Sequence, residues 1–108
     1  MIKKHPPQLP DLHKKIKEAL EVGRYVDTTH AKERQNERKI TLSDALYVLK
    51  TGRHEKNKTV FDTTWNKWKY AIRGETPDKE DVRVIITFDD NLMVIITVMY
   101  VFPLKGHY

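Results

Sequence analysis

The chain has 108 residues, 39% hydrophobic and 32% charged, which fits one globular domain with a single core. It has no cysteine, and this excludes disulfides, thiolate metal sites and cysteine nucleophiles. The net charge is +5, but residues 1–74 hold seventeen basic and nine acidic side chains, whereas residues 75–108 hold three and six. A basic face suits a polyanion, because binding it releases counterions. A solvated, lysine-rich surface is the alternative explanation.

The first eight residues are expected to form a flexible basic arm, and residues 9–108 to form a single domain. Pro6 and Pro7 block regular structure in the arm, and no apolar run follows its charges as it would in a secretory signal. The longest apolar stretch of the chain is too short to span a bilayer. We therefore expect a cytoplasmic protein that does not contact a membrane.

Three helices are predicted in the first half of the chain. Apolar residues recur at helical spacing before Gly23, where a glycine can end the first helix in the left-handed conformation. A second helix over residues 30–38, with Thr28-Thr29 as its N-cap, is almost entirely polar and so needs a rim position or a functional surface. A third helix begins at a Thr-x-x-Asp capping box and ends at Gly52.

After the third helix the apolar spacing changes from helical to alternating. Residues 67–73 alternate aromatic or aliphatic side chains with mostly basic ones, which predicts a half-buried strand with a basic outer face. The β-branched runs 82–88 and 92–102 are joined by an Asp-Asp-Asn turn, which predicts a hairpin. The last run is apolar on both faces and so belongs inside the sheet. The expected fold class is α+β, with N-terminal helices packed on a twisted C-terminal antiparallel sheet.

The second helix carries the first set of candidate site residues. His30, Arg34 and Arg38 follow one another at intervals of four residues and hence share a helical face. One imidazole and two guanidinium groups there can bind a phosphodiester and supply a general base. The alternative is a histidine near an N-cap beside exposed, helix-favouring arginines, and the residues alone support this alternative better.

The strand over residues 67–73 carries the second set. Lys67, Lys69 and Arg73 share one face, and Trp65 and Trp68 lie close by. Cations interleaved with aromatic rings suit RNA, because the charges follow the backbone and the rings stack on unpaired bases. The alternative is an ordinary half-exposed strand. That explanation suits Trp68, but it leaves three cations on one face without acidic neighbours.

Metal and cofactor chemistry is not indicated. None of the five histidines pairs with another at the spacing of metal ligands, and the four glycines are isolated rather than gathered in a phosphate-binding loop. We therefore expect neither a metal site nor a cofactor.

A run of short motifs resembles a known family. These motifs are Thr29-His30-Ala31 with Arg34, residues 37–41, residues 44–49 and Gly52. Together they resemble the opening of the small family called domain of unknown function 4258, and residues 82–100 resemble its closing hairpin. The resemblance covers roughly Tyr25–Val101.

That family is similar to the RelE-like and MqsR-like bacterial toxins of the barnase–EndoU–colicin–RelE group. The resemblance implies a RelE/MqsR-like fold and a toxin of a type II toxin–antitoxin system. Such a toxin is a metal-independent endoribonuclease, an mRNA interferase, which activates the ribose 2′-OH to attack the adjacent phosphate. The implied partners are RNA and a cognate antitoxin protein, with a homodimer as a further option.

The resemblance and the sheet region together nominate two groups of residues. The catalytic candidates are His30, Arg34, Lys69, Arg73, Arg83 and Tyr100, and the RNA-binding candidates are Arg38, Lys58, Lys67 and Trp65. In this scheme His30 is base or acid, Lys69 or Tyr100 is the other proton carrier, and the arginines stabilise charge. His30 and Arg73 are expected to meet at one concave edge. The alternatives are a non-catalytic module of the same fold that binds nucleic acid or protein, and a structural subunit of a larger assembly.

Overall fold

The computed structural model describes residues 5–101 of the chain. The helices are α1 (Leu12–Val22), α2 (Thr29–Arg38) and α3 (Leu42–Thr51). The strands are β1 (Tyr25–Asp27), β2 (Arg53–His54), β3 (Val60–Asp62), β4 (Lys67–Glu75), β5 (Asp81–Asp89) and β6 (Leu92–Tyr100), and a 3-10 turn spans Lys56–Lys58. Between residues 5 and 101, no helix has both the length and the apolar character needed to cross a membrane. The predicted α+β class, with helices first and the sheet last, is confirmed.

The sheet is mixed, which corrects the expectation of a purely antiparallel one. Its strand order is β1-β6-β5-β4-β2, and β3 pairs with the same edge of β4 as β2 does. β4, β5 and β6 are antiparallel, but β1 runs parallel to β6, with Tyr25 opposite Met93. No strand is predicted from the sequence at Tyr25–Asp27, because three residues are too few to show a strand period. As an edge strand they satisfy backbone groups of β6 that would otherwise lack partners.

Capping residues and glycines near the helix termini determine where the helices begin and end. Gly23 ends α1 with φ 70° in the left-handed conformation, as predicted. Thr28 caps α2 by accepting the Ala31 N–H, and the capping box of α3 is present between Thr41 and Asp44. Gly52 ends α3 as predicted, but its backbone is extended rather than left-handed. A Cβ there would lie 2.6 Å from the carbonyl oxygen of Arg73, so glycine permits close approach to β4.

One face of the sheet carries the core. Buried and less buried residues alternate along β5, and the helices cover the buried side, with α3 against β4 and β5 and α2 against β6. The buried set includes Ile16, Val48, Leu49, Ile72, Val84, Ile86, Ile95 and Val98. β6 lies between β1 and β5, as its apolar composition predicts. A register shift beside Ile86 places Ile95 opposite it and leaves Ile96 out of the pairing.

The N-terminal segment lies on the sheet as far as it is described. The Trp68 Nε1–H donates to the Pro6 carbonyl at 2.7 Å, the Leu9 N–H donates to the Tyr70 hydroxyl at 2.9 Å, and the His5 ring stacks on Phe61. These contacts involve part of the flexible arm expected over residues 1–8, and residues 1–4 of it lie outside the described part. Prolines lack an N–H, so this segment can run along aromatic side chains without joining a strand ladder.

Candidate nucleic-acid interface

A cleft of about 430 Å³ opens on the sheet face opposite the core. Val94, Ile96 and Thr87 form its floor, on strand positions that alternate with the buried ones. The rim consists of Thr28, His30, Trp65, Lys67, Lys69 and Asp89. An apolar floor with a few polar groups around it is the usual composition of a ligand site.

Thr28 places His30 at this cleft. Its side-chain O–H donates to the Ile95 carbonyl at 2.9 Å, and its side-chain oxygen accepts the Ala31 N–H at 3.0 Å. The hydroxyl thereby joins the first turn of α2 to β6. His30 lies in that turn, is exposed, and lines the cleft beside Val94 and Ile96.

The two lysines of the cleft have different surroundings. Lys69 Nζ lies 2.7 Å from Asp62 Oδ2, and this contact is the main cause of the lowered pKa of the Asp62 carboxyl. Lys67 Nζ is 3.4 Å from the Phe88 carbonyl and 3.5 Å from Asp89 Oδ1, at the long end of hydrogen bonding. Lys69 therefore has a well-defined position, whereas Lys67 is held loosely.

Trp65 presents its ring to solvent at the mouth of the cleft. The residue is 72% exposed, and it belongs to the turn between β3 and β4. Asp62 Oδ1 accepts the N–H groups of Thr64 and Trp65, and Asn66 completes the turn at φ 57°. An exposed indole on an ordered turn can stack on a nucleic-acid base.

Four of the ten predicted site residues line this one cleft. They are His30, Lys69, Lys67 and Trp65. They come from α2, from β4 and from the turn before it, so the polar helix and the basic strand face meet at this point. The arrangement combines an imidazole, two ammonium groups and an aromatic ring over an apolar floor.

Two arginines of α2 lie outside this lining. Arg34 pairs with Glu37 at 2.7 Å along the helix. Arg38 Nη1 donates to the Val98 carbonyl at 2.6 Å, on the edge of β6 beyond the residues that β1 covers. The Arg38 contact is structural, since it satisfies a strand edge that β1 does not reach.

Arg73 and Arg83 belong to an ion-pair network on the other half of the same sheet face. Arg83 binds both carboxylate oxygens of Glu55, at 2.6 and 3.1 Å, and Arg73 binds both oxygens of Asp81, at 3.0 and 2.6 Å. A further contact of 3.3 Å joins Arg73 to Glu55. The hydrogen bond from Arg83 lowers the pKa of Glu55, and the one from Arg73 lowers the pKa of Asp81. Each guanidinium is therefore matched by a carboxylate.

His30 and Arg73 were expected to meet at one concave edge, and this prediction is wrong, because the two residues line different cavities. Arg73 lies four residues beyond Lys69 on β4, roughly 13 Å along a strand. It lines a separate cavity of about 560 Å³ with residues of the β4–β5 loop. Lys69 and Arg73 therefore lie on the same face of the sheet but line different cavities.

The remaining two candidates, Tyr100 and Lys58, also lie outside the cleft lining. Tyr100 pairs with Val82 and packs against the core, where burial is the first cause of its raised pKa. Lys58 is exposed at the end of the 3-10 turn. Their candidacy depended on the register of the sheet, which periodicity does not determine.

Sequence reasoning missed two acidic residues that organise this face. Asp62 holds both the Trp65 turn and Lys69, and Glu55 compensates two arginines. For Asp62 a signal existed, because an aspartate two or three residues before a turn amide is typical of an Asx turn. For Glu55 the sequence offered none, since its partners are 18 and 28 residues away.

Comparison with known proteins identifies the matching family. A family model described as a domain of unknown function (DUF4258) matches residues 28–100, from the N-cap of α2 to the end of β6. The match includes all of the cleft residues named above. Searches of curated proteins and of solved structures each found no match. Within residues 5–101, no three His, Asp or Glu side chains are grouped so as to hold a metal ion.

Proposed function

We propose, for a chain that belongs to the family described as domain of unknown function 4258, that the cleft binds RNA and cleaves it by attack of a ribose 2′-OH. The observation that carries the proposal is the convergence of His30 with Lys67, Lys69 and Trp65 in one cleft. The imidazole can move a proton near neutral pH, the ammonium groups can bind phosphate, and the indole can stack on a base.

The reaction needs one base, one acid and positive charge at the phosphate. His30 accepts the 2′-OH proton while the 2′ oxygen forms a bond to phosphorus and the bond from phosphorus to the 5′ oxygen breaks. The ammonium of Lys69 donates a proton to the departing 5′ oxygen, and Lys67 stabilises the charge of the pentacoordinate phosphate. The products are a 2′,3′-cyclic phosphate and a 5′-hydroxyl, so atoms and protons balance without a co-reactant.

The proposal extends to the role of the activity in the cell. Cleavage of cellular RNA by this chain would stop growth, as in a toxin of a type II toxin–antitoxin system. Such a toxin acts in the cytoplasm and needs a protein antitoxin that blocks the cleft. These features follow from the likeness to RelE-like and MqsR-like toxins, which stays a prediction.

Cleavage assays on matched oligonucleotides test the proposal. We expect the purified chain to cleave a single-stranded RNA, to spare the DNA and 2′-O-methyl versions of it, and to work equally well with a chelator present. His30→Ala should reduce the rate by about 10²–10⁴-fold. Arg34→Ala is the matched control, because Arg34 lies on the same helix but pairs with Glu37. Cleavage of the DNA version, or restoration of activity by a divalent ion, would contradict the mechanism.

A binding module without catalysis is the second candidate. The observation that favours it is the ion pair between Lys69 and Asp62, because the carboxylate competes with the leaving oxygen for the ammonium group. In that case the chain binds single-stranded RNA without cleaving it, and His30→Ala changes affinity less than Trp65→Ala does. Affinity and cleavage measured on the same variants separate the two functions.

A further inference from the structure

Asp62, the last residue of β3, contacts two elements of the cleft at once. Its Oδ1 accepts the N–H groups of Thr64 and Trp65, at 2.9 and 3.1 Å, and its Oδ2 lies 2.7 Å from Lys69 Nζ. One carboxylate therefore joins the turn that carries the exposed indole to the lysine that lines the cleft. Its side chain is 17% exposed, which makes this contact more shielded than an ordinary surface ion pair.

The two oxygens have separable roles. The Oδ1 contacts form an Asx turn, and the amide oxygen of an asparagine can make the same contacts. The Oδ2 contact is charge-assisted and orients a side chain that otherwise has many rotamers. A lysine ammonium has three N–H donors, so Lys69 can bind Asp62 and still donate to a phosphate.

Lys67 provides the contrast within the same cleft. Its Nζ is 3.5 Å from Asp89, and the Asp89 side chain is 66% exposed. An exposed ion pair at this distance does little to fix the position of the Lys67 side chain. The difference between the two pairs indicates that Asp62 does more than balance charge.

We propose that Asp62 is a positioning residue of the cleft, which fixes the Lys69 ammonium relative to the Trp65 ring. The part of this inference that concerns RNA rests on the proposed function. Asp62 acts through Lys69 and Trp65 and does not itself contact the reacting atoms.

Three variants of the full chain test the proposal. Asp62→Asn keeps the turn acceptor and removes the charge, Asp62→Ala removes both, and Glu37→Gln is the matched control, because Glu37 pairs with Arg34 outside the cleft lining. Asp62→Asn and Glu37→Gln each remove one negative charge, so both increase the general attraction to RNA to a similar extent. We expect Asp62→Asn to lower kcat by about tenfold to a hundredfold without raising KM, because Lys69 is displaced. Glu37→Gln should leave kcat unchanged, and equal kcat values for the two variants would overturn the proposal.

A measurement without RNA separates this inference from the proposed function. The acetylation rates of Lys69 and Lys67 are compared by mass spectrometry, since these side chains are similarly exposed, at 32% and 39%. We expect Lys69 to react several-fold more slowly than Lys67 in the unmodified chain, and this difference to disappear in Asp62→Asn but persist in Glu37→Gln. Tryptophan emission should change in Asp62→Ala and not in Asp62→Asn.

The outcomes of the two measurements are independent. If the chain does not cleave RNA but the acetylation contrast is present, the proposed function fails and the positioning of Lys69 by Asp62 stands. If Lys69 and Lys67 react alike in every variant, the positioning role fails even if RNA is cleaved. Thermal melts confirm that each variant is folded, and Asp62→Asn, which keeps the turn, remains informative if Asp62→Ala unfolds.

Discussion

The hydroxyl of Thr28 donates to the carbonyl of Ile95 at 2.9 Å across 67 residues of sequence, and in this way fastens the start of α2 to β6. The same oxygen caps the helix by accepting the Ala31 N–H. Because His30 lies in the helical turn that this contact anchors, the position of the imidazole over the cleft depends on a residue that does no chemistry.

Thr28→Ala should therefore affect both stability and RNA cleavage. We expect the free energy of unfolding to fall by about 1–2 kcal/mol, since a cap and a hydrogen bond to β6 are lost together. We also expect slower RNA cleavage, because the first turn of α2 loses its anchor. Urea unfolding and the cleavage assay measure the two effects. Thr28→Ser, which keeps the hydroxyl, is the control and should restore most of both.

The contact between Trp68 and Pro6 predicts that the N-terminal segment contributes to stability. A chain that begins at Leu9 should melt several degrees below one that begins at His5, because about 1 kcal/mol corresponds to roughly 4–8 °C in a domain of this size. Thermal unfolding followed by circular dichroism measures the difference. Trp68→Phe should reproduce part of the loss, whereas Trp65→Phe, at the exposed turn, should not.

Equal melting temperatures for the two truncated chains would contradict this prediction. They would instead support the expectation, drawn from the sequence, that the first eight residues form a flexible arm.

The network around Glu55 predicts a loss of stability in acid. The pKa values of Glu55 and Asp81 are lowered by their hydrogen bonds to Arg83 and Arg73, so the folded state favours the ionised carboxylates. Their contribution is complete above the ordinary carboxylate range and is lost as pH falls below about 4 through the lowered values. The free energy of unfolding, measured by urea titration from pH 6 to pH 3, should decrease accordingly.

Glu55→Gln should flatten that pH dependence. It should also cost about 1–3 kcal/mol at pH 7, because two guanidinium groups lose a charged partner that is only 10% exposed. Glu37→Gln is the control, since Glu37 is 59% exposed in its pair with Arg34 and should change neither quantity appreciably. If the pH dependence of the free energy of unfolding is the same in Glu55→Gln, other carboxylates cause the acid sensitivity.

The salt dependence of RNA binding distinguishes cations that bind phosphate from cations that are already paired with carboxylates. RNA binding should weaken steeply with salt, and Lys67→Gln should reduce the slope of log affinity against log salt by about one. Arg73→Gln should leave the slope unchanged, because Arg73 is bound by Asp81 and Glu55 and lines a different cavity. The measurement is fluorescence anisotropy of a labelled RNA at several salt concentrations. A flat titration for the unmodified chain would contradict the polyanion interpretation altogether.

Much of the fold could be predicted because its signals are local. A threonine before a polar run and a Thr-x-x-Asp box mark helix starts, and β-branched runs around an Asp-Asp-Asn turn mark the β5–β6 hairpin. Each of these signals acts within a few residues of the chain. The three-residue strand β1 was missed because its only evidence is its pairing with β6.

The sequence by itself determined the α+β order of elements and the charge asymmetry. It also showed that polar or basic segments contain His30, Lys67, Lys69 and Trp65. Only the tertiary structure decided which of these segments meet. Strand register and the anchoring of α2 on β6 gather those four residues in one cleft, while Glu55 and Asp81 compensate Arg73 and Arg83. The physical reason is that capping and periodicity act over one or two turns, whereas the carboxylate of Glu55 compensates arginines that lie 18 and 28 residues away.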